Sequence, residues 1–133
     1  VMNGDLLTRL NFGALVKYHR EMGAELTTAV CQYDLDIPYG VVECAGSVVK
    51  GIKEKPRMSL FVCAGIYLVE PSALELIPKR RRFDMTDLIA SLIAKRRKVA
   101  SFPIREYWLD IGRPDDYQRA QKDAASWRGP VSA

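Results

Sequence analysis

An α/β fold with a mixed central sheet is what this sequence predicts, on three observations. Apolar, β-branched runs of strand length alternate with segments whose apolar residues recur at helical spacing. Residues 41–44 and 48–54 flank the tight turn Ala45-Gly46-Ser47, and the second run alternates residue by residue, as one arm of a β-hairpin does. Two strand ends, Asn3-Gly4-Asp5 and Leu109-Asp110-Ile111-Gly112, each set a carboxylate beside a glycine. Open α/β sheets bind ligands at the carboxyl ends of their strands.

The elements follow in order. Val1-Met2-Asn3 reads as the tail of a buried parallel strand, with Gly4-Asp5 turning at its carboxyl end. Asn11 caps a helix whose apolar positions are Phe12, Leu15, Val16 and the lone His19, and Gly23 ends it. Residues 26–33 form a strand, Ile37-Pro38-Tyr39-Gly40 is a loop into the hairpin, and Lys55-Pro56 ends the hairpin. Residues 60–69 make a long apolar strand interrupted by Gly65; a glycine there weakens a strand unless it forms a bulge or something must come close. Pro71 opens a short helix to about residue 77. Asp84, with Asp87 three residues on, caps a helix whose inner face is Met85, Leu88, Ile89, Leu92 and Ile93. Residues 98–103 read as an edge-like strand, and the aromatic run from Tyr107 as a short buried one. Gly112 breaks that strand, and Pro114 starts a last helix to about residue 125. A domain over residues 1–123 with a flexible tail over 124–133 is expected.

With 133 residues, 48% of them apolar, one domain with a real core is expected. No apolar run is long enough to span a membrane, and Val1-Met2-Asn3-Gly4 has no signal-peptide pattern. Cys31, Cys44 and Cys63 are widely spaced and there is one histidine, so neither a zinc site nor a disulfide framework is expected, and the default compartment is cytoplasmic. The net charge of +4 suits an anionic substrate. The basic runs Lys79-Arg80-Arg81-Arg82 and Lys95-Arg96-Arg97-Lys98 lack interleaved aromatics or a recognition module and read as solvated faces, not as a nucleic-acid surface.

Four features carry chemistry. Asp5 and Asp110 are strand-end carboxylates; Asp110 alone reads as a cap for the following helix or for turn amides, and the two together, completed by substrate phosphates and water, as part of an oxygen cage for Mg²⁺. Tyr39-Gly40 is an ordinary turn or a place where a backbone amide meets a ligand. Glu54-Lys55 is a surface ion-pair doublet, or an acceptor for hydroxyls beside a cation for phosphate. Gly65 marks a bulge or a close approach.

The combination resembles the sugar-phosphate nucleotidyltransferases. The resemblance rests on Asn3-Gly4-Asp5, Pro38-Tyr39-Gly40-Val41-Val42-Glu43, Glu54-Lys55-Pro56, Ala64-Gly65-Ile66-Tyr67 and Trp108-Leu109-Asp110-Ile111-Gly112, and runs from residue 1 to about residue 122. Within the family the chain looks most like a subfamily whose catalytic domain accompanies paired CBS domains. The resemblance implies a partial Rossmann-like nucleotidyltransferase fold and the reaction of an NTP with a sugar 1-phosphate to give an NDP-sugar and pyrophosphate. It further implies that Asp5 and Asp110 bind Mg²⁺, that Tyr39 and Gly40 flank the sugar, that Glu54 binds its hydroxyls and Lys55 its phosphate, and that Gly65 lines the sugar pocket.

Two departures matter. Cys63 stands where the family often has an asparagine that touches the sugar. The family's glycine-rich loop with arginine is missing: Gly46-Ser47-Val48-Val49-Lys50-Gly51 is a hairpin turn. The chain thus looks like the carboxyl part of a catalytic domain. Alone it is expected to be inactive, to bind metal weakly and to self-associate through an open sheet edge beside Val1-Met2-Asn3. The alternative is a non-catalytic module of the same fold that binds sugar nucleotides or regulates a partner.

Overall fold

The computed structural model describes residues 1–127. In chain order the elements are β1 (Leu6–Thr8), α1 (Phe12–Met22), β2 (Leu26–Asp36), β3 (Val41–Ala45), β4 (Val48–Lys53), β5 (Arg57–Val69), α2 (Pro71–Leu74), α3 (Met85–Ala94), β6 (Val99–Pro103), β7 (Trp108–Asp110) and α4 (Pro114–Trp127). The main sheet runs β5-β2-β6, with β2 antiparallel to β5 and parallel to β6, so the sheet is mixed as expected. The β3–β4 hairpin pairs antiparallel, and β1 pairs antiparallel with β7.

Alternation along β2 sorts its side chains between two cores. Leu26 packs with Tyr67, Leu88 and Leu92, which puts α3 on that face. Ala29 and Cys31 pack with Leu15, Ile66 and Ile104, which puts α1 on the other. A strand covered on both faces is mostly apolar and uncharged, and the first six residues of β2 are apolar apart from Thr27 and Thr28. Beyond Cys31 the β2–β5 ribbon leaves the core. One face of the extension carries Asp34, which accepts from Gln32 (3.0 Å) and Ser59 (2.6 Å) and faces Arg57. The other face pairs Tyr33 with Leu60 and Leu35 with Met58, all about half exposed.

Helix α1 begins and ends, and α3 begins, as their sequences dictate. Asn11 Oδ1 accepts from the Ala14 N–H at 3.0 Å, and Gly23 closes α1 in the left-handed region at φ 54°. The Asp84 N–H donates to the Asp87 carboxylate at 2.9 Å in the expected capping box.

His19 is buried on the inner side of α1, and it does more than fill space. Its Nδ1 lies 2.7 Å from Thr27 Oγ1, and its Nε2 lies 3.0 Å from Glu70 Oε1. It therefore straps α1 to β2 and to the end of β5. Thr27 is fully buried, so its hydroxyl has no water to turn to. Replacing His19 with alanine is expected to cost about 1–3 kcal/mol, the penalty for an orphaned buried hydroxyl, before any cavity term. Urea denaturation would show it as a lower midpoint at an unchanged slope.

The structure differs from the expectations at several places, among them β2 and β5, which each run three residues beyond the expected 26–33 and 60–69. Val1-Met2-Asn3 is not a buried parallel strand: Met2 forms an isolated antiparallel bridge to Ile66, and Val1 and Met2 are half exposed or more. The neighbour on that side is β5, which runs the opposite way. Leu6–Thr8 form a strand that three residues were too few to announce. Helix α2 stops at Leu74. Helix α4 includes residues 124–127, expected as tail, because Trp127 packs edge-to-face on Tyr107 at 4.9 Å and lies under the Arg9 guanidinium at 4.5 Å. The rest of the expected tail lies outside the described residues. None of the described helices is long and apolar enough to cross a membrane.

Candidate functional site

The β1–β7 ladder builds the centre of the site. Leu109 is buried, and the Trp108 indole donates to the Ala64 carbonyl at 2.9 Å, which pins β7 to β5. The register places Leu6 opposite Asp110, and the Ile111 N–H donates to the Asp5 carbonyl at 2.8 Å. Asp5 and Asp110, 105 positions apart in sequence, thus stand one ladder step from each other. Asp5 lies in the turn before β1, where strict strand alternation no longer dictates which way a side chain points.

Both carboxylates are exposed. Among the described residues neither has a lysine, arginine or histidine within ion-pair distance. Asp110 Oδ1 accepts from the Gly112 N–H at 2.9 Å, which fulfils the turn-capping role its position suggested. Its second oxygen has no protein donor among the described residues. A Cβ at residue 112 would lie 3.0 Å from Oδ1, so glycine there lets the turn close.

Beside Asp110 opens a cleft of about 640 Å³. Tyr33, Val62, Cys63, Trp108 and Leu109 form its less polar side, and Asp110, Gly112, Arg113 and Asp116 its polar end.

Gly65 sits at φ 69° in an irregular stretch of β5, where the pairing with β2 slips between Thr28 and Val30. Its carbonyl accepts from the Asn3 N–H at 2.9 Å, and a Cβ there would lie 2.8 Å from the Asn3 side-chain amide. The bulge reading of this glycine holds, and the neighbour it admits is part of the chain itself. That neighbour is the segment leading to Asp5.

The remaining expected residues form a second group. Gly40 and Glu54 meet at the open end of the hairpin, where a Cβ on Gly40 would lie 3.2 Å from Glu54 Oε2. Lys55 Nζ is 4.0 Å from Glu54 Oε1, both side chains are largely exposed, and Lys55 takes a positive φ of 41°. Tyr39 is 74% exposed. The Ile37 N–H donates to the Pro56 carbonyl at 3.1 Å, closing the base of this group against the ribbon. None of Tyr39, Gly40, Glu54 and Lys55 lines the cleft beside Asp110. The structure therefore gathers Asp5, Asp110 and Gly65 in one group and Tyr39, Gly40, Glu54 and Lys55 in another, with the β2–β5 ribbon between.

Sequence reasoning missed Tyr33, Arg113 and Asp116 at the cleft. For the last two a signal existed: they sit three apart at the start of a proline-led helix, on one side of it. It also missed the partners of Cys63. That thiol lies 3.0 Å from Tyr67 Oη and 3.3 Å from Thr28 Oγ1. Burial pushes the Cys63 thiol up, but hydrogen bonds from Thr28, Tyr67 and the Gly65 backbone outweigh burial and bring it below the ordinary thiol value. Burial and the same contact push Tyr67 up to about 12. Cys31 is pushed up to about 11, chiefly by burial and then by Cys63. A thiol with a lowered pKa carries more thiolate near neutrality and alkylates faster. Iodoacetamide is expected to modify Cys63 faster than Cys31 by orders of magnitude, with a rate that rises at lower pH than for a free thiol. Peptide mass spectrometry over a pH series would check it.

Comparison with known proteins bears on this geometry. The family model described as nucleotidyl transferase matches residues 1–126. The chain is 30% identical over 122 residues to the mannose-1-phosphate guanyltransferase of Schizosaccharomyces pombe, covering 88% of this chain and 33% of that protein. It is 31% identical over 120 residues to the mannose-1-phosphate guanylyltransferase catalytic subunit beta of Drosophila pseudoobscura, covering 88% and 32%. The chain thus spans about a third of the length of the curated relatives it matches. Among solved structures, a UTP-bound UGPase from Acinetobacter baumannii superposes with a TM-score of 0.66 at 20% identity, over 98% of this chain and 52% of that one. That likeness shows the Rossmann-like α/β fold the sequence predicts. With its family match extending from Asn3-Gly4-Asp5 through Trp108-Leu109-Asp110 and into α4, the chain belongs to the nucleotidyl transferase family.

Proposed function

We propose that the polypeptide carrying this chain joins an NTP to a sugar 1-phosphate, giving an NDP-sugar and pyrophosphate, with Mg²⁺ held by Asp5 and Asp110. One observation carries the reading: the β1–β7 register brings two distant stretches together, setting Asp5 one ladder step from Asp110, which lines an open cleft. The donor set fits the ion. Mg²⁺ takes hard oxygen ligands and is commonly held by one or two carboxylates plus substrate phosphates and water. Here two exposed carboxylates have no lysine, arginine or histidine within ion-pair distance among the described residues, and one Asp110 oxygen is already oriented by Gly112. When bound, the ion supplies neutralisation of the charge developing on the phosphate oxygens.

This chain's residues then do the positioning. The Gly112 N–H holds Asp110 in one rotamer. Gly65 seats Asn3 and with it the turn that carries Asp5. At the hairpin, Gly40 offers its backbone and Tyr39 its ring to the sugar, Glu54 accepts from sugar hydroxyls, and Lys55 meets the sugar phosphate. Gly65, behind Cys63, belongs to the wall of the sugar pocket. Because the hairpin group lies off the cleft, productive binding brings the sugar side toward Asp110 across the ribbon. CBS-domain company and a cytoplasmic setting belong to the same reading.

The test is a pyrophosphate-release assay of the polypeptide carrying this chain against a panel of NTPs and sugar 1-phosphates. The relatives' names make GTP with mannose 1-phosphate the first pair to try. Product formation that depends on Mg²⁺ is expected; no product with any pair would defeat the proposal. The 133-residue chain alone is expected to show no sustained turnover. It is also expected to self-associate, through the exposed Val1-Met2 edge and the apolar ribbon face of Tyr33, Leu35, Met58 and Leu60. A monomer by light scattering at high concentration would count against that.

A further inference from the structure

The polar end of the cleft holds a cation that none of the motifs singled out. Arg113 lies between Gly112 and Pro114, and its carbonyl accepts from the Tyr117 N–H at 3.0 Å, the first helical bond of α4. The backbone on both sides is thereby settled, and the side chain lines the cleft together with Asp110 and Asp116. It is the one cation among the lining residues.

Several cations beside carboxylates pair with them: Lys53 with Glu43, Arg57 with Asp34 and Asp36, Arg97 with Glu25, Arg119 with Asp123. Arg113 has Asp116 three residues on, along the same helix start, yet no carboxylate lies within ion-pair distance of its guanidinium among the described residues. Asp110 and the half-buried Asp116 concentrate negative charge at this end. A phosphate approaching them would be repelled by whatever charge a divalent ion left uncancelled. A planar guanidinium presents paired N–H donors that match two oxygens of one phosphate group.

We propose that Arg113 is a phosphate-binding residue of the site, gripping a substrate phosphate at the Asp110 end of the cleft. The inference rests on the reading of the cleft as a nucleotidyl-transfer site. The phosphate it grips belongs either to the sugar 1-phosphate or to the triphosphate that leaves as pyrophosphate, and kinetics separate the two.

The experiment has two arms. In the polypeptide carrying this chain, Arg113→Gln and Arg113→Lys are compared with the control Arg119→Gln, whose side chain pairs with Asp123 away from the cleft. Arg113→Gln is expected to raise the KM of one substrate about tenfold or more, as for a lost charge-assisted hydrogen bond, with a much smaller change in kcat. A rise for the sugar phosphate alone assigns the grip to that group; a rise for the NTP alone assigns it to the triphosphate. Arg113→Lys should recover part of the loss, by charge without the fork. The second arm titrates this chain with inorganic pyrophosphate in the presence of Mg²⁺, by calorimetry, so that no turnover is needed. Arg113→Gln should weaken that binding about fivefold or more, at an unchanged melting midpoint. If the unsubstituted polypeptide catalyses no transfer, the proposed function fails and the pyrophosphate arm alone decides on Arg113. KM values and pyrophosphate binding unchanged within about twofold, or no pyrophosphate binding by the unsubstituted chain together with unchanged KM values, would overturn the assignment.

Discussion

Replacing Asp110 with asparagine is expected to lower kcat of the nucleotidyl-transfer reaction by about a hundredfold or more while leaving the fold intact. The magnitude follows from its proposed role. Changing a partner that merely orients a metal ligand already costs about 10–100-fold, and losing a ligand's charge costs at least that much. The fold should survive because Asp110 is exposed and its one internal bond, from the Gly112 N–H, is kept by the asparagine oxygen. Asp5→Asn is expected to behave alike. The double substitution should cost little more than either single one, because two ligands of one ion act as a unit and the first loss already removes it. Asp115→Asn is the control: Asp115 is exposed in the first turn of α4, five residues on from Asp110, and does not line the cleft. The measurements are kcat against Mg²⁺ concentration for each variant, with thermal melts to confirm the fold. An Asp110→Asn enzyme with unchanged kcat and unchanged Mg²⁺ dependence would leave Asp110 with its turn-capping role alone.

How much of this was legible follows from the range of the forces involved. Local signals were read correctly where the physics is local. The Asn11 cap, the Gly23 stop, the Asp84–Asp87 box and the Gly46 turn each depend on residues within a few positions of one another. The mixed sheet was legible from apolar runs. Three features were not. β1 is three residues of ordinary composition whose strand character comes wholly from pairing with β7, about a hundred residues away. Residues 34–36 and 57–59 extend the ribbon because Asp34, Ser59 and Arg57 bind one another across strands, which polar composition alone reads as loop. Trp127 looked like tail because its partners, Tyr107 and Arg9, are distant in sequence.

The site divides along the same line. Asp5 and Asp110 could each be named from a glycine neighbour at a strand end, but only the ladder register shows that they adjoin. The separation of Glu54 and Lys55 from the cleft was invisible in the sequence for the same reason: motif order along the chain carries no distance. Gly65 and Gly40 were identifiable as glycines with a purpose. What approaches them, the Asn3 amide and the Glu54 carboxylate, is a tertiary fact.

Gly65→Ala is where fold and site are expected to fail together. Alanine at φ 69° sits in the left-handed region, which costs an L-residue about 1–2 kcal/mol relative to glycine. The new methyl also meets Asn3 Nδ2 at 2.8 Å and Leu6 Cδ1 at 3.2 Å. These two contacts differ in kind from the backbone strain. Asn3 is exposed and its amide is the free end of a side chain, so it can swing away; Leu6 packs against the core and β1 shifts with it. The backbone term should therefore dominate stability, while the displaced Asn3 and Leu6 should dominate activity, because they bracket the turn that carries Asp5. A lower denaturation midpoint, together with a loss of kcat larger than the stability change accounts for, is the expected pair of results. Adding Asn3→Ala to Gly65→Ala separates the causes. It should restore only a minor part of the stability, since the φ strain remains. Full recovery would show that crowding at Asn3, and not backbone conformation, is what glycine at position 65 relieves. Unchanged activity in Gly65→Ala at an unchanged melting midpoint would detach Gly65 from the placement of Asp5.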